Sequence, residues 1–257
     1  MKSIAERHKF ILEKLERKGF VTVLELSKEL EVSLPTIRKD LEALENKNLL
    51  VRSHGSASQV KSRVMDLNIR IKEEHNIAEK TKIAASAQEL IVPDDAIILA
   101  SGSTVTAFAK ILRPVGSLNV VTPSLGIALI VNEKDNVNVN VNVLGGKLYK
   151  NSLSVRGEYA VYGLKNINCS KLFIGCDGID TERGITCATT EEASLTNAMM
   201  EVSDRTVVLA DSTKFGRRGF GKICPLEDID VIVTDEGIKP EMKEYLENIG
   251  VKVVIAR

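Results

Sequence analysis

Val32-Ser33-Leu34-Pro35-Thr36-Ile37-Arg38-Lys39-Asp40-Leu41, continuing to Leu44, is the stretch on which the fold of the first part of this chain turns. Ser33 has the residue type of a helix N-cap, whose side-chain oxygen accepts from an early backbone N–H. Pro35 falls in the first turn, where early N–H groups have no intrahelical partner anyway. Ile37, Leu41 and Leu44 then share one face of a helix, which leaves Thr36, Arg38 and Lys39 outward. Upstream, Val23, Leu26, Ser27 and Leu30 repeat at i, i+3, i+4 and i+7, the spacing of a second helix. Residues 3–18 predict a first helix with Ile4, Ile11, Leu12 and Leu15 on one face and Gly19 closing it, before a short extended piece. Downstream, Asn48 is placed to take the left-handed conformation that ends the third helix. Leu49 to Gly55 reads as a short strand running into a glycine turn. Three short helices and a β-wing predict a winged helix-turn-helix over residues 1–57.

A helix fits the major groove of B-DNA, where residues in its first turns reach base edges and basic groups neutralise phosphates. Ser33, Pro35, Thr36, Arg38 and Lys39 have the residue types and placement for this, while Arg52 and His54 on the wing are placed for backbone or minor groove. The same pattern also fits a small helical protein-interaction module. Charge leans towards nucleic acid: residues 1–63 carry 13 Lys+Arg against 9 Asp+Glu, and the remainder 22 against 26, so a net charge of zero hides a basic end.

Composition bounds the rest. Hydrophobic residues make up 44% of the 257, enough to bury a core, and the length suits a small module with a larger α/β domain. Aromatics are 4% and Trp is absent, which argues against a carbohydrate-stacking surface. Cys169, Cys176, Cys187 and Cys224 show no metal-ligand spacing, so no metal and no cofactor is expected, and the thiols read as reduced core residues of a cytoplasmic protein. Met1-Lys2-Ser3 leads into a charged helix rather than a signal peptide, and no apolar run is long enough for a bilayer, so no membrane partner is expected.

Residues 58–74 are polar and weakly patterned and read as a linker. From residue 75 to 257, strand-like and helix-like segments alternate. The strands are read at Ala96–Ala100, 119–122, 137–144, 171–175, 206–210, 231–233 and 251–255, and the helices at 77–90, 104–112, 124–131, 157–164, 190–202 and 239–248. This alternation predicts an α/β domain with a mainly parallel sheet. The Asn136–Val143 run has a strict period of two and predicts a strand with Val on one face and Asn on the other.

Five polar or glycine-rich segments each follow a predicted strand. They are Ser101-Gly102-Ser103-Thr104, Thr122-Pro123-Ser124, Gly145-Gly146, Gly175-Cys176-Asp177-Gly178-Ile179-Asp180 and Asp211-Ser212-Thr213-Lys214-Phe215-Gly216. In a parallel sheet such loops share one edge, where ligands bind. Small residues let the backbone at Ser101–Thr104 close around an anion, which the hydroxyls, helix-start N–H groups and helix dipole then favour.

The run Arg7…Ile11-Leu12…Leu15…Gly19…Val21…Leu26…Leu30…Val32-Ser33…Thr36-Ile37-Arg38-Lys39-Asp40-Leu41…Leu44…Leu49…Arg52…His54-Gly55 resembles the DNA-binding segment of the DeoR/GlpR family of bacterial sugar-metabolism regulators. The chain departs from it at Asn48 and Ser56, where the family often has Gly. The later segments resemble that family's effector domain, itself similar to ribose-5-phosphate isomerase. The resemblance implies a repressor that binds operator DNA as a homo-oligomer, dimer or tetramer, and is released by a phosphorylated sugar. It implies that Ser101, Gly102, Ser103 and Thr104 hold the phosphate, with Thr122, Ser124, Gly145 and Gly146 lining the site. Asp177 would contact sugar hydroxyls and Lys214 would supply a positive charge.

Two other readings remain open. An isomerase needs a carboxylate base, which Asp177, Asp180 or Glu192 could supply, and groups that stabilise an enediolate. The lysine- and glycine-rich stretch that follows the isomerase's aspartate motif is replaced here by Thr181–Thr190, which has no evident oxyanion cradle, so no catalytic residue is assigned. Alternatively, the second domain only oligomerises or senses redox state through cysteine.

Overall fold

In the computed structural model, residues 3–18, 20–47, 49–53, 56–58, 68–133 and 138–257 are described, and the chain divides into two compact units, Met1–Met65 and Asp66–Arg257. The first unit runs α1 (Ile4–Lys18), β1 (Phe20–Thr22), α2 (Val23–Leu30), α3 (Leu34–Asn46), β2 (Val51–Ser53) and β3 (Ser56–Ser58). Both later helices start on side-chain caps: Thr22 Oγ1 accepts from the Glu25 N–H, and Ser33 Oγ from the Thr36 N–H. The turn between them is fixed by Glu31, left-handed at φ 54°, and by the Ser27 hydroxyl, which donates to the Val32 carbonyl at 2.6 Å.

Ile11, Leu15, Leu26, Ile37, Leu41, Leu44 and Leu50 fill the core. The packed face of α1 runs through Arg7, Ile11, Lys14 and Leu15, whereas Ile4, expected on that face, lies in the first turn and is 62% exposed. Strand β3 pairs antiparallel with both β1 and β2, so the extended piece after α1 is part of the wing sheet. Gly19, Asn48, His54 and Gly55 lie outside the described residues.

The second unit opens with α4 (Ile69–Glu74) and α5 (Ile77–Gln88), so the expected linker of 58–74 ends in a helix. Then follow β4 (Asp95–Leu99), α6 (Ser103–Ile111), β5 (Leu118–Thr122), α7 (Leu125–Asn132), β6 (Val139–Val143), β7 (Lys147–Tyr149) and β8 (Ser154–Arg156). Next come α8 (Glu158–Leu164), β9 (Lys171–Ile174), β10 (Gly178–Asp180), β11 (Gly184–Cys187), α9 (Thr190–Glu201) and β12 (Thr206–Leu209). Finally β13 (Gly221–Cys224), β14 (Val231–Asp235), α10 (Pro240–Asn248) and β15 (Lys252–Ala256) complete the unit.

Seven strands form one sheet in the order β15-β14-β12-β9-β4-β5-β6, and every pair in it is parallel. Successive residues of a strand face opposite sides. Ile97 and Leu99 of β4 therefore join Phe173, Phe108 and Ile83 under α5, α6 and α7, while Ile98 joins Leu172, Ile174, Ala193 and Leu246 under α8, α9 and α10. From Val139 on, the Asn/Val run forms edge strand β6, with Val139 and Val141 half-buried and Asn140, Asn142 and Val143 exposed, while Asn136 and Val137 lie outside the described residues. Strands β10, β11 and β13 make a separate antiparallel sheet, and β7 and β8 a hairpin; the sequence pattern announces neither.

The winding places the site. From β4, the chain adds β5 and β6 on one side and later β9, β12, β14 and β15 on the other. The direction reverses between β4 and β9, and a crevice at the carboxyl ends of such strands is where open α/β sheets bind ligands.

Candidate nucleic-acid interface and effector site

On the first unit, Ser33, Pro35, Arg38 and Lys39 are exposed along the front of α3, and Thr36 is half-buried. Ser33 and Thr36 face each other, their hydroxyls 2.9 Å apart, so both also serve the cap. Arg52 is exposed but engaged: Nε donates to Glu45 Oε2 at 2.7 Å, and its backbone N–H donates to Glu45 Oε1 at 2.9 Å. These two hydrogen bonds hold the Glu45 carboxyl below its ordinary pKa and brace β2 against α3. Behind the outward face, Asp40 takes a bidentate pair from Arg7, Nε at 2.7 Å and Nη2 at 2.9 Å, with His8 Nε2 at 3.3 Å. The hydrogen bonds that Arg7 donates to Asp40 raise its pKa, so the guanidinium stays charged in place. Lys14 meets Glu25 at 2.8 Å and Glu29 at 2.5 Å, tying α1 to α2.

On the second unit, the five loops expected to share an edge follow β4, β5, β6, β9 and β12, adjacent strands of the same sheet. At the switch point the loops after β4 and β9 nearly touch: a Cβ on Gly102 would lie 3.8 Å from the Gly175 Cα. Gly102 has φ 139°, a backbone that side-chain-bearing residues rarely adopt, and it opens α6 with no side-chain cap. The first N–H groups of α6 are thus left for a ligand or water. Ser101 and Ser103 are half-buried beside this turn, and Thr104 is buried.

A cavity lies against the switch point, lined by Ser101, Pro123, Arg156, Gly175, Glu192 and Thr196, among others. The expected lining residues divide. Thr122 and Ser124 are buried and shape the loop, Thr122 Oγ1 accepting from the Ser124 N–H and Ser124 Oγ capping α7. Gly145 and Gly146 are exposed, and a Cβ on Gly146 would sit 2.7 Å from the Arg156 carbonyl oxygen, so this glycine serves hairpin packing.

Asp177 and Lys214 belong to a second cluster on neighbouring loops. Lys72 Nζ of α4 donates to Asp177 Oδ1 at 2.7 Å. Asn76 donates to Asp211 Oδ1 at 3.1 Å, and Lys214 Nζ stands 3.9 Å from Asp211 Oδ2. Burial pushes the Asp211 carboxyl up, but the Lys214 charge and hydrogen bonds from Thr213 outweigh it and leave it below the ordinary range. Buried Lys80 caps α4, its Nζ donating to the carbonyls of Lys72 and His75. Burial, helped by the Lys214 charge, brings its pKa down to about 8.

Lys72, Lys80 and Arg156 are polar groups that sequence reading passed over, and Asp211 is read there only as part of a polar loop. For Lys80 a signal exists, since with Ile83, Ala84 and Ala87 it completes the i, i+3, i+4, i+7 face of α5, placing a lysine on a core-facing stripe.

The cysteines are not poised for redox chemistry. Burial pushes the Cys169 thiol up to about 11 and Cys224 to about 12, and raises Cys176 and Cys187 as well. Among the described residues, no group of three or more His, Cys, Asp or Glu is placed to hold a metal, and no helix is long and apolar enough to cross a membrane.

A helix-turn-helix with basic residues along its third helix, joined to an α/β unit with a cavity at its sheet edge, defines a class: DNA-binding transcriptional regulators that carry their own sensor domain. Two family descriptions match in the same order, a DeoR-like helix-turn-helix domain over residues 7–63 and a DeoR C terminal sensor domain over residues 75–236. The chain belongs to the DeoR family of transcriptional regulators. It is 36% identical to the HTH-type transcriptional regulator YulB of Bacillus subtilis, over 97% of this chain and 96% of that one. It is 31% identical to the HTH-type transcriptional repressor GlcR of the same organism, over 97% and 95%. Among solved structures, a D-ribose-5-phosphate isomerase in complex with phospho-erythronic acid matches with TM-score 0.38 and 17% identity. That match covers 53% of this chain and about half, 52%, of the isomerase chain. The family and these full-length relatives are regulators of transcription, not enzymes.

Proposed function

We propose that this chain is a cytoplasmic repressor that binds operator DNA through residues 1–57 as a homo-oligomer and is released by a phosphorylated sugar bound in residues 75–257. The observation that carries this reading is the opening of α6. The Gly102 turn leaves backbone N–H groups of α6 without intrahelical partners; half-buried Ser101 and Ser103 flank that turn, and Ser101 lines the neighbouring cavity. That arrangement suits a dianionic phosphate, which the helix dipole and charge-assisted hydrogen bonds favour. Buried Thr104 completes the phosphate-holding segment, and Thr122 and Ser124 shape the neighbouring loop. Lys214 adds positive charge, and Asp177 offers a carboxylate to sugar hydroxyls.

On the DNA side, Arg38 reads base edges and Lys39 neutralises phosphate. Ser33, Pro35 and Thr36 meet the DNA at the front of the same helix, and Arg52 and His54 contact backbone or minor groove from the wing. Two half-sites read by two modules multiply affinity, which is the reason for an oligomer. Release follows only if the ligand prefers the conformation that holds DNA poorly, with a coupling of roughly 1–3 kcal/mol sufficing.

The test is a titration of operator-bound protein with phosphorylated sugars and their unphosphorylated parents. Release by the phosphorylated compounds alone is expected. Release by a free sugar, or by none of the phosphorylated compounds, would refute the reading.

A further inference from the structure

Arg156, at the end of β8, is 2% exposed although its charge is permanent. Burying a guanidinium is costly unless it is paired and hydrogen-bonded, and this one is both. Nη1 donates to Thr189 Oγ1 at 2.7 Å, and Nη2 to Ser152 Oγ at 3.3 Å and Glu192 Oε2 at 3.2 Å. The Tyr149 ring lies against it, its centroid 4.6 Å from Cζ. The group is therefore held in one orientation by partners on the β7–β8 hairpin and on α9. These contacts use three of the five N–H groups a guanidinium carries. Arg156 and Glu192 both line the cavity that Ser101 borders.

The pair is neutral as a unit but strongly polar, and that decides what it can accept. A hydroxyl can accept from the guanidinium and donate to the carboxylate at once. A second phosphate or a carboxylate placed there would gain Arg156 and meet the Glu192 charge beside it. We propose that Arg156 and Glu192 form a specificity-determining subsite that reads the uncharged, hydroxyl-bearing end of a phosphate monoester and rejects ligands with a second anionic group. This rests on the phosphate-binding reading above and narrows it to monophosphates of neutral sugars or polyols.

The experiment is calorimetric titration of the full-length protein with four sets of probes. These are inorganic phosphate, monophosphates of pentoses, hexoses and hexitols, hexose bisphosphates, and phosphorylated aldonic acids such as 6-phosphogluconate. A monophosphate is expected to bind roughly tenfold or more tightly than the bisphosphate or phosphorylated acid of equal carbon number, a gap of the size one charged hydrogen bond supplies. Glu192→Gln, nearly isosteric, should narrow or invert that gap. Arg156→Lys keeps the charge but loses the fork, and should weaken the monophosphate about tenfold with inorganic phosphate unchanged. Wild-type protein that binds bisphosphate or phosphorylated acid as tightly as monophosphate overturns the subsite, as does a ratio unmoved in Glu192→Gln. Those measurements need no assumption about folding beyond wild type and an isosteric variant. If neither inorganic phosphate nor any monophosphate binds, the phosphate site itself fails, and that failure is distinct from loss of the selectivity alone.

Discussion

Arg7 and Asp40 in the first unit and Lys80 and Asp211 in the second are all buried, yet they serve different ends. In the first unit the buried charges are closed on themselves. Arg7 meets Asp40 in a two-pronged pair that fixes α3 against α1, and Lys14 is enclosed by Glu25 and Glu29. The outward face of α3 is left to Arg38 and Lys39. In the second unit the buried Lys171–Asp95 pair closes on itself at the amino ends of β9 and β4. A further set of charges gathers at the carboxyl edge of the sheet, where buried Asp211 meets Lys214 and Asn76, and half-buried Asp177 meets Lys72. The first arrangement makes a rigid reader. The second leaves polar groups at the edge where the proposed ligand binds, tied to α4 through Lys72 and to the start of α5 through Asn76.

The largest effect should come from breaking the closed pair. Asp40→Ala removes the carboxylate that takes both prongs of buried Arg7, and should destabilise the first unit by about 3–5 kcal/mol. Denaturant unfolding followed by a probe in each unit would show it, with the transition of the second unit unmoved. A loss under about 1 kcal/mol would mean the pair behaves like an exposed one and staples nothing.

The outward face should respond more gently. Arg38→Ala is expected to weaken operator binding by roughly 1–3 kcal/mol and relax preference at one base position. Lys39→Ala should act alike on all sequences and reduce the salt slope by about one. Arg52→Ala removes an ion pair to Glu45 as well as a wing charge, so its effect on DNA should come with a small loss of stability. Operator affinity indifferent to Arg38→Ala at moderate salt would show that α3 does not enter the groove.

The same contrast explains what the sequence could disclose. Helix α3 is written locally: Ser33 caps it, Pro35 starts it, and Ile37, Leu41 and Leu44 pattern it within one short stretch. Six of the seven parallel strands are likewise read from compact apolar runs between turn residues, and β6 from its alternation of Val and Asn. The cavity is not local. Arg156 finds Thr189 and Glu192, 33 and 36 residues on, and Lys72 finds Asp177, 105 residues on. Nothing in the period of either neighbourhood announces such a pairing. The strands of the small antiparallel sheet are three or four residues long and, apart from exposed Lys222, buried, so they are too short to show an alternation to read. Gly145 and Gly146 were legible as a turn, but only the backbone approach to Arg156 reveals what that turn is for.

The smallest effect concerns pH. Lys80 has a folded pKa near 8, below its unfolded value near 10.5, so between those values it binds fewer protons folded than unfolded. Its burial therefore costs stability at pH 7, and the cost is relieved as pH rises from about 8 to about 10.5. Denaturation of wild type and Lys80→Met at pH 7 and pH 9 should show a favourable trend with pH in wild type that the variant lacks. A sugar phosphate should also bind more weakly at pH 9, because a positive charge has left the neighbourhood of Lys214.

In the proposed function, ligand at the sheet edge controls the hold on DNA. The direct measurement follows release of a labelled operator, selected with this protein from random DNA, as a sugar monophosphate is added to wild type and to Lys214→Ala. Each protein is compared with its own ligand-free affinity. The account predicts a fall in operator affinity within about 5–150-fold at saturation for wild type. It also predicts that Lys214→Ala needs roughly tenfold or more ligand for the same release, as the loss of one charge-assisted contact implies. Equal release curves for the two proteins, or release by the unphosphorylated sugar, would contradict it.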